Sequence, residues 1–164
     1  MAVKETKKTG EFLYGAHSVI EMLKAKRRRL LTIYTTKPLP KAWDRIAPYL
    51  PKHIPNIQYV DRSILDRMAG TPDHNGIIAL VTPFRYMANA FDPQKKPFIL
   101  LLDSLQDVRN LGAILRSADA AGVDGLILCD PTIDLGNPNV VRSSRGAIFS
   151  VPVAEATSVE TLAW

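Results

Sequence analysis

A chain of 164 residues with 46% hydrophobic and 23% charged residues fits one or two small globular domains and is too apolar for a disordered tail. No unbroken apolar run is longer than Phe98 to Leu102, which has the length of a buried strand, and this excludes a bilayer-crossing helix of roughly 18 to 20 residues. The net charge of +5 is divided unevenly: residues 1–96 hold 17 Lys or Arg against 8 acidic residues, and residues 97–164 hold 4 against 8. A basic segment beside an acidic one suits a polyanionic partner, because Lys and Arg replace condensed counterions on phosphates. A solubilising surface is the bland alternative.

In chain order, residues 1–10 are Lys-rich and lack an apolar core, so they read as a flexible basic arm and not as a secretory or transit signal. Ser18 and Glu21 stand at capping-box spacing ahead of Val19, Met22 and Leu23, predicting a helix to about Lys26. The run Lys24-Ala25-Lys26-Arg27-Arg28-Arg29 then places five cations at the end of that helix. The helix dipole accounts for one or two of them, so contact with phosphate is the preferred reading of the rest. Leu30 to Thr35 reads as a strand, Ala42 to Leu50 as a helix stopped by Pro51, and Ile57 to Val60 as a short strand. Ser63 caps a further helix through Met68, and Ile77 to Val81 reads as a central strand ending at Pro83. These elements make an α/β domain over residues 11–82. Residues 83–97, with three prolines and little periodicity, read as a linker.

From residue 98 the pattern changes. Phe98 to Leu102 is continuously apolar, as a parallel strand buried on both faces should be, and Asp103 to Arg109 is a polar loop. Leu111, Ile114, Leu115 and Ala118 follow helical spacing until Gly122. Gly125 to Cys129 is a second strand, Val140 to Gly146 a short helix, Ile148 to Val153 a third strand, and Ser158 to Trp164 the start of a helix. This alternation implies a parallel sheet with right-handed crossovers, whose ligand site lies at the strand C-terminal ends, over residues 103–116 and 130–146.

No dinucleotide, nucleotide-triphosphate, zinc-protease or paired-cysteine motif is present, so no metal is expected. His17, His53 and His74 are widely separated and read as structural or exposed, and Cys129, alone, as an apolar filler at a strand end. In Asp103 to Arg116, Asn110 stands as a helix cap. Gly112 is about 1 kcal/mol worse than Ala within a helix unless something approaches the backbone closely. Arg116 lies off the apolar stripe; spacing alone favours a surface ion pair over a functional role. Ser144 and Gly146 read equally as a helix end or as part of a ligand loop.

Three stretches together resemble the SpoU or TrmH family of RNA ribose methyltransferases, closest to the kind that methylates a guanosine ribose of large-subunit ribosomal RNA. Residues 12–23, FLYGAHSVIEML, with residues 74–81, HNGIIALV, are similar to the start and end of the family's substrate-binding domain. Residues 101–128 resemble the first motif, N-x-G-x-x-x-R, and residues 137–153 the Ser-x-Gly-Ala stretch. The resemblance implies a small α/β substrate-binding domain followed, over residues 98–164, by the first half of a parallel-sheet SPOUT (α/β knot) domain. It also implies transfer of a methyl group from S-adenosylmethionine to a ribose 2′-hydroxyl of ribosomal or transfer RNA, in the cytoplasm, without a metal, by a protein that is a homodimer when complete.

By the same resemblance Arg116 helps to activate the ribose hydroxyl and Asn110 shapes the catalytic loop, while the residues that bind the donor are left unknown, with Ser144 and Gly146 as candidate loop neighbours. The family's later knot motifs, Gly-x-Glu and Ser-Leu-Asn, do not occur before Trp164, so the chain is expected to be a truncated form with an exposed apolar sheet edge. The alternative is an RNA-binding module without catalysis.

Overall fold

The computed structural model describes residues 10–53, 56–84, 91–130 and 133–163, which excludes nearly all of the basic arm and six positions of the segment read as a linker. The chain divides into two compact units, Met1–Pro83 and Phe84–Trp164.

The first unit is a four-stranded mixed sheet built from β1 (Glu11–Tyr14), β2 (Leu30–Thr35), β3 (Ile57–Tyr59) and β4 (Ile77–Val81), in the order β1-β4-β2-β3. β4 is antiparallel to both neighbours, and β2 is parallel to β3. Helices α1 (Ala16–Ala25), α2 (Trp43–Ile46) and α3 (Arg62–Ala69) cover it. Apolar side chains from both layers, including Leu13, Val19, Ile33, Leu65 and Ile78, are removed from water. At about 1.5–3 kcal/mol for each full burial, these contacts dominate the stability of the unit.

The sequence expectations need three corrections here. Ser18 is not a cap: α1 begins at Gly15, whose φ of +84° suits glycine alone, and the Ser18 side chain lies in the helix interior, buried. Ser63 likewise lies inside α3, behind Asp61. The helix expected over residues 42–50 is one α-turn followed by a 3-10 turn, Ala47–Tyr49, because Pro48 lacks the donor that an α-helix needs there. β1 escaped the periodicity reading, being four residues long and only half buried.

The second unit is a parallel sheet, β5 (Ile99–Asp103), β6 (Gly125–Cys129) and β7 (Val153–Ala156), in the order β5-β6-β7. α4 (Val108–Ala121) returns from β5 to β6; α5 (Pro138–Ser144) and α6 (Ala147–Ser150) lead to β7, and α7 (Ser158–Ala163) follows. β6 is buried along its length, whereas β5 lies at an edge with Leu101 half exposed, so the expectation of a strand buried on both faces applies to β6 and not to β5. The third strand is displaced. Residues 147–150 form a helical turn after Gly146, at φ +101°, and the strand begins only after Pro152. A short apolar run such as Ile148-Phe149 has no period long enough to separate strand from helix. The segment read as a linker contributes to this core: the Phe91 ring lies where a Cβ on Gly125 would stand, 1.9 Å from its nearest atom.

Candidate functional site

The first motif lies on α4. Asp107, not Asn110, caps the helix, accepting from the Arg109 N–H at 2.7 Å; Asn110 is the third helical residue and is exposed. Among the described residues the Asn110 side chain has no hydrogen-bond partner, and the loop before it is held instead by the Ser104 N–H on the Cys129 carbonyl at 3.1 Å.

Gly112 has the reason that its place in a helix demanded. A Cβ there would stand 1.9 Å from Ser143 Oγ, 2.5 Å from Ser143 Cβ and 2.8 Å from the Ser143 carbonyl carbon, so α5 packs directly on the bare backbone of α4. That approach places Ser143 within reach of Arg116, whose Nη1 donates to the Ser143 carbonyl oxygen at 2.6 Å. Arg116 is exposed, and a guanidinium carries five N–H donors, so a single anchor fixes the group and leaves donors facing solvent. Sequence reasoning missed Ser143; its only trace was the glycine.

Charge is distributed unevenly within this unit. All four basic residues of 97–164, Arg109, Arg116, Arg142 and Arg145, lie on α4, on α5 or on the residue that caps α5, and all are exposed. The strand tips are acidic. Ser158 Oγ donates to Asp130 Oδ2 and lies 3.2 Å from Asp103 Oδ1, joining the ends of β5 and β6 to the start of α7. The Ser158 hydroxyl, then its N–H, holds Asp130 below the ordinary 3.8, and the Thr157 N–H, then its hydroxyl, holds Glu160 below 4.5.

Ser144 and Gly146 resolve as a helix end. The Ser144 hydroxyl is buried and donates to the Val141 carbonyl at 2.9 Å, and Gly146 is the left-handed joint between α5 and α6. Cys129 is buried, its sulfur 3.3 Å from Thr161 Oγ1. On that face of the sheet Phe91, Ile127, Ala154, Glu160 and Thr161 line a cleft of about 310 Å³. Among the described residues no group of three or more His, Cys, Asp or Glu is placed to hold a metal.

In the first unit the basic run straddles a boundary. Lys26 ends α1 in the left-handed region, φ +55°, and Arg27 to Arg29 lead into β2. Lys24, Lys26, Arg27 and Arg29 are exposed, but Arg28 is not: its side chain is 4% exposed, with Nε donating to the Thr82 carbonyl at 2.7 Å and Nη2 to Glu11 at 2.6 Å. This corrects the grouping of Arg28 with the phosphate-facing cations; its charge is used inside the domain. Lys24 is bonded to Glu21 at 3.0 Å, which raises its pKa. His74 is structural: fully buried, it accepts the Gly76 N–H on Nδ1 at 2.9 Å, so the proton on Nε2 faces Asp66 at 2.8 Å.

Comparison with known proteins agrees with both units. A family model described as the SpoU rRNA methylase family matches residues 97–163, and one described as RNA 2′-O ribose methyltransferase substrate binding matches residues 12–87. YacO of Bacillus subtilis, named as a TrmH family tRNA/rRNA methyltransferase, is 32% identical over 155 residues, covering 91% of this chain and 62% of YacO. A similarly named protein of Staphylococcus aureus is 40% identical over 109 residues, or 63% of this chain and 44% of its own.

Among solved structures, the AdoMet-bound rRNA methyltransferase from Sinorhizobium meliloti superposes with a TM-score of 0.77 at 24% identity, over 95% of this chain and 57% of its own. A crystal structure of an RNA 2′-O ribose methyltransferase gives 0.71 at 26% identity, over 95% and 58%. The chain thus spans less than two thirds of these relatives' lengths. Two family models that match residues 12–87 and 97–163, and one relative aligned across nine tenths of the chain, show the family: the chain belongs to the SpoU/TrmH family.

Proposed function

We propose that the protein transfers a methyl group from S-adenosylmethionine to a ribose 2′-hydroxyl of RNA, the first unit holding the RNA and Arg116 acting at the sugar. The observation that carries this reading is the exposed Arg116 guanidinium, fixed by the Ser143 carbonyl, within the stretch from Asn110 to Arg116. A 2′-hydroxyl is a weak acid and a poor nucleophile. A fixed cation that stabilises the developing alkoxide, or grips the adjoining phosphate, lowers the barrier to attack. Arginine stays charged at any working pH and is a poor general base, so its part is electrostatic. Asn110, exposed in the first turn of α4, is placed in this reading on the RNA side of the helix.

S-adenosylmethionine, when bound, supplies the sulfonium methyl. Ser144, whose buried hydroxyl is engaged by Val141, and Gly146, the joint between α5 and α6, belong in this proposal to the loop neighbouring the donor, and no step is assigned to them. The exposed Lys24, Lys26, Arg27 and Arg29 meet phosphates in this proposal. Ribosomal RNA is favoured over transfer RNA by the description of the matching family. A cytoplasmic site and a homodimeric complete protein belong to the same proposal and rest on the family resemblance; no helix among the described residues is long and apolar enough to cross a membrane.

The test is transfer of a tritiated methyl group to ribosomal RNA, with the product nucleoside identified after digestion. Arg116→Ala is expected to lower turnover by about 10² to 10³, the usual loss for one preorganised donor, with RNA affinity little changed. Undiminished transfer by a folded Arg116→Ala protein overturns the assigned role. RNA binding without any transfer leaves the binding-module reading in its place.

A further inference from the structure

Tyr59 ends β3, one of the two edge strands of the first sheet, and 45% of it is exposed. Lys37 Nζ lies 4.1 Å from the centroid of its ring, well inside the roughly 6 Å range of a cation–π contact. Among the described residues no carboxylate pairs with Lys37. Another such pair among the described residues is different: Lys24 stands 5.3 Å from the Tyr49 ring and gives its ammonium to Glu21.

The register explains the placement. Tyr59 is paired with Thr35 at the C-terminal end of β2, and Lys37 follows two residues later, so sheet pairing brings the ring and the ammonium together. Lys26 to Arg29 precede β2 and lie at its opposite end, about 16 Å away at roughly 3.3 Å per residue. The unit therefore presents cations at both ends of one sheet, and among the described residues only the β2–β3 end sets an ammonium without a carboxylate against an exposed aromatic ring.

Single-stranded nucleic acid is held by this combination: an aromatic ring takes a base face and a nearby cation takes the backbone phosphate. Duplex RNA does not fit it, because its base faces are stacked on one another. An acidic peptide would use the ammonium and leave the ring idle. We propose that Tyr59 and Lys37 form a subsite for one unpaired nucleotide of the RNA, the base stacking on the exposed part of the Tyr59 ring and its phosphate meeting the Lys37 ammonium. The proposal rests on the RNA-holding role given above to the first unit and extends it to the far end of the sheet.

The experiment titrates the 164-residue chain into a fluorescein-labelled, unstructured single-stranded RNA, and into the same RNA annealed to its complement, reading anisotropy over a range of salt. Tyr59→Ala is expected to weaken single-strand binding about tenfold and to leave duplex binding unchanged, while Tyr59→Phe keeps the parent affinity. Lys37→Ala is expected to lower the salt slope by about one ion, and Tyr59→Ala to leave it unchanged. Circular dichroism checks that the variants fold. Parent-like single-strand affinity in Tyr59→Ala overturns the subsite, as does an equal loss on both RNAs. A parent chain that binds neither RNA overturns the RNA-holding role itself, a distinct result.

Discussion

Gly112→Ala separates two physical effects of opposite sign. Helix propensity alone makes alanine better than glycine inside α4 by about 0.8–1.0 kcal/mol. The structure places the new methyl 1.9 Å from Ser143 Oγ, which a rotamer change relieves, but also 2.5 Å from Ser143 Cβ and 2.8 Å from its carbonyl carbon, which only movement of α5 relieves. Overpacking of that kind costs about 1–3 kcal/mol, so the net expectation is a loss of up to about 2 kcal/mol, or a fall in the melting temperature of the second unit by up to about 16 °C. Urea and thermal unfolding of the two single variants and of Gly112→Ala with Ser143→Gly complete a double-mutant cycle. The double variant is expected to recover part of the loss, because the new methyl then meets a bare backbone at position 143 in place of the Ser143 side chain. Stabilisation of the chain by Gly112→Ala alone would show that α5 does not rest on this glycine, and the account of how Arg116 is anchored would go with it.

Arg28→Ala is expected to cost about 3–5 kcal/mol, since it strands the nearly buried Glu11, whereas Arg27→Ala and Arg29→Ala should stay within about 0.5 kcal/mol; chemical denaturation of the three variants checks the contrast. His74→Ala removes the acceptor of the buried Gly76 N–H and the partner of Asp66, and should destabilise the first unit by about 2–4 kcal/mol in the same assay. Asp130 and Glu160 titrate below their ordinary values when folded, so their support of the α7 start is present above those values and is lost as pH falls through the folded ones. Amide protection of residues 157–161, taken relative to the intrinsic exchange rate at each pH, should therefore fall in acid, and that fall should vanish in Asp130→Asn with Glu160→Gln.

The elements that sequence reasoning located correctly are those with a sustained period or a hard stop. α4 carried four apolar residues on one stripe and a glycine terminator, and β6 five buried residues between polar turns. The failures share one cause, which is that local signals do not reveal long-range partners. Ser18 has the chemistry of a cap, yet the chain leaving β1 is held by the Gly15 N–H on the Ile77 carbonyl, a contact 62 residues away in sequence, and this sets where α1 begins. Arg28 reads as one cation in a run of similar ones; only the pairing of β1 with β4 brings Glu11 and Thr82 beside it. The site shows the same division. Arg116 was visible as a cation off the apolar stripe, but the carbonyl that fixes it belongs to a helix 27 residues later.

The general rule that open parallel sheets bind ligands beyond their strand C-terminal ends needs a qualification in this unit. The tips of β5 and β6 carry Asp103 and Asp130, joined through Ser158, with Glu160 in the turn that follows. A phosphate brought within about 4 Å of one such carboxylate is opposed by about 1 kcal/mol in water and about 4 kcal/mol near a protein surface. All the arginines of the segment lie instead on α4, on α5 and at the α5 cap. A polyanion therefore meets attraction along the two helices and repulsion over the tips. In the proposed reaction this favours an RNA backbone running beside Arg116 and keeps its phosphates off the strand ends. The close approach permitted by Gly112 thus does two things at once: it fixes one guanidinium on a carbonyl, and it sets the two arginine-bearing helices, α4 and α5, side by side.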